Sequence, residues 1–401
     1  MAQLCLSRFE MNRMVSSKVD VLPCERISLE TDLRSVWRWL KYLGLCPDLL
    51  LISVKQHRWL EMTRFLFTWF IVLLVSAFGV HQLVQLVVKS WSMDKMVETV
   101  PNLNAASFCL CTILFRYQMW SRLDEILELF NDWKQIEMES KHVDLVALKR
   151  ITKAFYISIT VYFIVIMIIC LAWNVMDPHN SLFITHYRDL RDSMGLHSLY
   201  LVSGFIFGFC SLIWVIDFLI PIIFFYHVAI VVGSLAEEWD AQLRNEEYLR
   251  SIWQKYEKIL HLVDRANKLF GPHLATCNLF LMVSLCFSAF GVIQQFQNSM
   301  MAVEMISGCL FFVGMILIFN WMLSQVFLSL SQLQKSLADE LSQKWFQLGE
   351  AERLLLVSFL ARLDKGDMAV RPMNLFTICP SNLLGMLAVV MNYFVVLAQL
   401  R

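Results

Sequence analysis

The residues best placed to do chemistry here are two uncharged amides near the end of the chain. Asn392 and Gln399 lie in the final stretch, Ser381 to Arg401 (SNLLGMLAVVMNYFVVLAQLR). Past its first turn, the only other polar groups in that stretch are the phenol of Tyr393 and Arg401. As a helix it is about 30 Å long, enough to cross the hydrocarbon core of a bilayer. Val396, Gln399 and Leu400 stand three and four residues apart, so they share one helical face. An uncharged amide in line with apolar side chains is what a narrow cation pore with a hydrophobic gate requires. The same amides serve equally well as hydrogen-bonding partners for neighbouring helices, and on chemistry alone that is the simpler reading.

Other chemistry is scarce. The sequence contains no nucleotide loop, no His-Glu-x-x-His, no Gly-x-Ser-x-Gly and no Cys-x-x-Cys pair. It has no basic patch with interleaved aromatics of the kind nucleic acid requires. An enzyme, a cofactor and a nucleic-acid partner are therefore not expected. Cys109 and Cys111 have no further metal-ligating residue nearby, so no metal is expected. Asp217 is the only acid within the long run Ser193–Ala236, and an intramembrane acid is a functional candidate by default. It either contacts a ligand or ion, or pairs with a base or with backbone amides freed near Pro221.

The elements that must position these residues are membrane helices. The chain is 58% hydrophobic and only 17% charged, against about 25% charged and 45–50% apolar in soluble domains. That composition predicts an all-α integral membrane protein in a lipid bilayer. Stretches free of Lys, Arg, Asp and Glu are Phe65–Val88, Thr99–Phe115, Ala154–Met176, Ser193–Ala236 (interrupted by Asp217), Leu269–Val303, Met305–Gln334 and Pro372–Leu400. Each reaches or approaches the ~17–25 residues a span needs, which gives seven spans. Ser193–Ala236 is long enough for two, and the positive-inside rule decides between the alternatives. With seven spans, 29 of the 34 Lys and Arg residues fall on one side and 5 on the other. Splitting the long span destroys that asymmetry. The predicted topology is an N-terminus in the cytoplasm and a C-terminus outside, the reverse of a G-protein-coupled receptor. The first 64 residues carry charges throughout, so no cleaved secretory signal is expected. Eight of the 11 cysteines lie in the uncharged stretches and read as small core residues rather than a disulfide framework.

Three predicted cytoplasmic segments are helical by pattern: Trp120–Lys149, Leu235–Leu269 and Leu330–Leu363. Each has an apolar stripe that must be covered, among them Leu123, Ile126, Leu127 and Phe130 in the first and Leu330, Leu333, Leu337 and Leu341 in the third. The last element reads as a broken helix. Glu350–Lys365 is amphipathic, Gly366-Asp367 turns, and Pro372 and Pro380 precede the membrane segment.

The C-terminal pattern Asn392-Tyr393, five apolar residues, Gln399-Leu400 resembles the signature that ends insect gustatory receptors: Thr-Tyr, five hydrophobic residues, Gln-Phe. Asn392 replaces Thr and Leu400 replaces Phe. The resemblance implies an inverted seven-helix, ligand-gated, non-selective cation channel of four identical or mixed subunits in the plasma membrane of sensory neurons. In it, Val396 and Leu400 would gate and Gln399 would face the permeant cations. Helices four to six would extend into a cytoplasmic anchor, and the terminal helix would line a tetrameric pore. The implied divisions are residues 1–64, a cytoplasmic segment; 65–334, spans one to six with the ligand pocket; and 335–401, the anchor helix and pore-lining helix. The family's pocket lies in the outer half of each subunit. Residues of suitable depth and chemistry there are Phe108, Trp173, Tyr200, Phe207, Ser211, Trp214 and Phe311. They suit a small, largely apolar or aromatic tastant. Two alternatives stand beside this expectation. One is an odorant receptor subunit working with the odorant coreceptor; the other is a non-channel transporter or scaffold in which Gln399 only packs.

Overall fold

The computed structural model describes residues 110–119, 121–139, 219–236, 246–295, 299–363 and 368–399, with isolated positions at 69, 70, 73, 80, 107 and 161. Helix is the only regular structure among the described residues. In chain order the helices are α1 (110–119), α2 (Leu123–Glu139), α3 (Leu219–Ala236), α4 (Glu246–Gln295), α5 (Ser299–Lys344), α6 (Glu350–Arg362) and α7 (Pro380–Gln399). A short 3₁₀ turn, Pro372–Asn374, lies between the last two.

Helices α4 and α5 are the frame of the fold. At 50 and 46 residues they are on the order of 70 Å long, more than twice the ~30 Å hydrocarbon thickness of a bilayer. Each therefore joins an apolar, membrane-length part to a more polar extension. The sequence pattern explains their pairing. Along α4 the buried positions Leu249, Ile252, Tyr256, Ile259, Val263, Ala266 and Phe270 alternate by three and four. Along α5 the same alternation runs through Ile316, Phe319, Leu323, Val326, Leu330, Leu333 and Leu337. A three-four repeat gives each helix one continuous apolar seam; α4 and α5 pack side by side, while Tyr256 and Phe270 of the α4 seam also meet Phe359 and Phe224 of other elements. The α5 seam ends on a carboxylate: Glu340 is buried at the next position, paired with Lys344 at 3.0 Å.

The seam on α4 slips once. Phe270 and Leu274 are four apart, following the four-residue step from Ala266, and Gly271-Pro272 lies between them. Pro272 has no N–H, so the carbonyl of Lys268 loses its donor within the helix. The guanidinium of Arg122 replaces it from outside, donating through Nη1 to Lys268 O at 3.0 Å and Leu269 O at 3.1 Å. Thr276 Oγ1 donates to Pro272 O at 2.8 Å. Helix α2 is thereby tied to α4 at the proline. Below Arg122, Arg265 forks to Glu128 and Asp132 at 2.6 and 2.7 Å.

Around this tie sits an aromatic core. Phe224 of α3 meets Phe130, Trp133 and Phe225 edge-on, with centroids 5.6 to 5.8 Å apart. The apolar stripes expected on the three extensions are covered where their side chains are described; those of Leu123 and Leu127 lie outside the described residues, and Leu341 is half-buried. Ile126, Phe130, Tyr256, Ile259, Val263, Leu333 and Leu337 are all buried. Two boundaries differ from the sequence reading. The segments read as Leu235–Leu269 and Leu269–Val303 contribute to one continuous helix from Glu246 to Gln295. The helix expected over Glu350–Lys365 ends at Arg362. Leu363 leaves helical geometry, and Gln334 of α5 donates to its carbonyl at 3.3 Å, a long-range contact that local pattern does not reveal.

Helix α6 is fixed to α4 mainly by one side chain. Phe359 is fully buried, stacked on Trp253 at 5.3 Å and edge-on to Tyr256 at 5.5 Å. Arg362 adds an ion pair to Glu257 at 3.1 Å. At the other end of α6, Glu352 accepts from Gly349 N at 3.0 Å and caps the helix.

Candidate functional site

Helix α7 begins with Pro380 as its first residue, a position that needs no N–H donor, whereas the uncharged run read from the sequence begins at Pro372. Its entry is held by local hydrogen bonds. Asn382 Nδ2 donates to Thr377 O, Asn382 N donates to Cys379 O at 3.1 Å, and the Ser381 hydroxyl lies 3.1 Å from Cys379 Sγ. Twenty residues then run without a charge to Gln399.

This helix touches the rest of the chain along one narrow side. It packs on α4 and α5, and Val390 is its only buried residue among those described. Leu384, Val389, Met391 and Val395 are exposed, as is Val396 at 51%. At ~100° per residue, Asn392 and Gln399 fall about 200° and 180° from Val390. Both amides thus sit on the side turned away from the chain's own bundle, and both are exposed. Ser381, Gly385 and Ala388 fall on that same side, giving it small and uncharged residues along its length. A Cβ added at Gly385 meets no atom within 4 Å. Val396 lies about 60° round the helix from Gln399, on adjoining exposed surface. Of the expected trio, Val396 and Gln399 share one uncovered surface; Leu400 lies outside the described residues. Tyr393, at 41% exposure, sits towards the packed side.

Phe108, Trp173, Tyr200, Phe207, Ser211, Trp214 and the acid Asp217 lie outside the described residues. Phe311 is described: it is half-buried, with its ring centroid 5.3 Å from that of Phe312, which meets Phe280 edge-on at 6.3 Å. Close by in sequence, Gly308 brings α5 against α4, where a Cβ would lie 3.3 Å from Ser288 Oγ.

Several polar residues escape a reading of the sequence because each is a lone polar group in an apolar run. Asn320 on α5 donates to Asn278 Oδ1 on α4 at 3.4 Å and to Ile316 O at 2.9 Å, with both amides buried. His273 packs edge-on to Phe115 at 4.7 Å. The only sequence signal for such a pair is an Asn within an uncharged stretch, which names no partner. Among the described residues no group of His, Cys, Asp and Glu is arranged to hold a metal ion. Cys111, Cys277, Cys286, Cys309 and Cys379 are all free thiols.

Among the described residues three helical stretches, Leu219–Ala236, Glu247–Val292 and Gly308–Lys344, are long and apolar enough to cross a membrane. Residues 33–401 match the 7tm chemosensory receptor family, and the chain belongs to that family. Among solved structures it is similar to the insect olfactory receptor OR5 from Machilis hrabei in complex with eugenol. That likeness has a TM-score of 0.64 at 16% identity over 92% of this chain and 100% of that one. A second structure of the same Machilis hrabei receptor matches with a TM-score of 0.63 at 15% identity, over 92% of this chain and 100% of that one. At such identities the likeness establishes the fold. No curated protein matches the chain by sequence.

Proposed function

We propose that this chemosensory receptor is a subunit of a ligand-gated, non-selective cation channel opened by a small tastant, with α7 lining the pore. The observation that carries this reading is the face of α7 opposite Val390. It is uncharged, bears Asn392 and Gln399, and is covered by nothing in its own chain among the described residues. Four copies around an axis would enclose that face. Gln399 would then form a ring of amides facing the cations, with Val396 and Leu400 as the hydrophobic gate. Uncovered apolar residues around α6 support assembly through the polar extensions. Phe346 is 92% exposed, and Leu354 and Val357 are also uncovered. The chain would cross the plasma membrane of a sensory neuron seven times, N-terminus inside. Residues 1–64 would be cytoplasmic, 65–334 would hold spans one to six and the pocket, and 335–401 the anchor and pore helices. Phe108, Trp173, Tyr200, Phe207, Ser211, Trp214 and Phe311 would line the pocket, and Asp217 would either contact the ligand or ion or pair within the bundle.

An odorant receptor subunit is the second reading, favoured by the fold shared with a receptor solved in complex with eugenol. Whole-cell recording separates the two, with this chain expressed alone or with the odorant coreceptor against a tastant and odorant panel. Current from the chain alone, with ion selectivity altered by Gln399→Ala, supports the first. Current only with the coreceptor supports the second. Silence in both refutes the channel.

A further inference from the structure

The segment joining α6 to α7 is gripped by α4 at a single turn. Asn267 holds it with both ends of its amide: Nδ2 donates to Ala369 O at 3.0 Å, and Oδ1 accepts from Arg371 N at 3.0 Å. A primary amide bonding both ways to residues two apart acts as a neighbouring strand would. One turn further along the same face, Gly271 lets the backbone come closer still. A Cβ there would lie 3.0 Å from Met373 N and 3.7 Å from Arg371 O, so a larger residue would push the segment outward. The segment then closes on itself, with Ile378 N donating to Val370 O at 2.9 Å. Within that closed loop Met373 and Asn374 have φ of 52° and 58°. A methionine in the left-handed region is strained, and such strain persists only where the surroundings over-determine the backbone. Met373 is itself largely exposed, so the restraint comes through the backbone: turn bonds from Asn374 N to Arg371 O and from Leu375 N to Pro372 O hold the two residues locally, and Asn267 and the Ile378–Val370 bond hold the loop's ends. The loop leads within two residues of Ile378 to Pro380, the start of the pore-face helix.

Resting on the channel reading above, we infer that Asn267 is a positioning residue for the gate: its two hydrogen bonds hold the strained 369–378 loop, and through it α7, in the arrangement seen here. Released from Asn267, the loop relaxes and α7 gains freedom to leave that arrangement, so the channel opens without ligand. Asn267 lies on α4, bonded to the loop backbone and away from the α7 face, so ion selectivity stays as it is.

The test compares ligand-free cation conductance of cells expressing the full chain, matched for surface abundance, for wild type, Asn267→Ala and Asn267→Asp. Val396→Ser is the pore control. Hydrogen exchange on the purified proteins follows the peptide covering residues 369–378. Loss of two neutral hydrogen bonds predicts a rise in ligand-free conductance of about tenfold for Asn267→Ala. Asn267→Asp keeps the acceptor for Arg371 N and predicts about threefold. Exchange protection falls in the same order, with unchanged relative permeability to sodium and potassium. Conductance at the wild-type level while protection is lost overturns the inference, because the grip is then structural only. Unchanged protection in Asn267→Ala overturns it as well. If Val396→Ser conducts and the Asn267 variants do not, the inference fails alone. If Val396→Ser is silent too, the channel reading fails and takes the inference with it.

Discussion

Arg122 and Pro272 should be energetically coupled although they lie 150 residues apart. Pro272 leaves the Lys268 carbonyl without its helical donor, and Arg122 Nη1 supplies one at 3.0 Å, with Leu269 O a second acceptor at 3.1 Å. A hydrogen bond from a charged donor contributes ~1.5–3 kcal/mol. The Lys268 contact is exposed and the Leu269 contact only partly buried, so water recovers part of the loss and the lower end applies. Arg122→Ala should therefore cost about 1.5 kcal/mol. Pro272→Ala restores an amide at the position that normally serves Lys268 O. In that background Arg122→Ala should cost only about 0.5 kcal/mol, giving a coupling of roughly 1 kcal/mol. The assay is a double-mutant cycle on the detergent-solubilised protein, following unfolding by urea with tryptophan fluorescence. Equal costs for Arg122→Ala in both backgrounds would refute the argument that the proline creates the arginine's role.

Four further outcomes follow from the packing and the pore face. Phe359→Ala removes a fully buried ring stacked on Trp253 and should cost ~3–5 kcal/mol, read as a large drop in the thermal midpoint of assembled protein on size exclusion. Glu340→Leu replaces the buried end of the Glu340–Lys344 pair with a residue that continues the α5 seam. Thermal stability should hold or rise, by up to ~1–4 kcal/mol, and a marked loss would show that the carboxylate is needed. Asn320→Leu breaks the interhelical contact to Asn278 and should cost about 1 kcal/mol, with no further loss when Asn278→Leu is added. Val396→Ser wets the proposed gate and should give ligand-free current, measured in whole-cell recordings.

The amino-acid sequence alone is enough for the class of protein. Charge-free runs of membrane length require helices, because a backbone in hydrocarbon must satisfy its own hydrogen bonds. The uncharged run that carries Asn392 and Gln399 is long enough to be helical throughout, and the uncovered side of α7 bears both amides. The stripe at Leu330, Leu333 and Leu337 is legible because a three-four repeat is a property of one stretch of sequence.

Partners are not legible in this way. Asn267 looks like any polar residue on a charged helix, yet it holds a segment about 100 positions away. Arg122 reads as one more cytoplasmic base until Pro272 is seen to leave it an acceptor. The carbonyl of Leu363, just past the end of α6, is met by Gln334 reaching from α5, a partner no local pattern names. Periodicity records which face of a helix is apolar, because that face must leave water whatever covers it. Which polar side chain meets which carbonyl depends on how helices far apart in sequence cross, and only the packed bundle settles that.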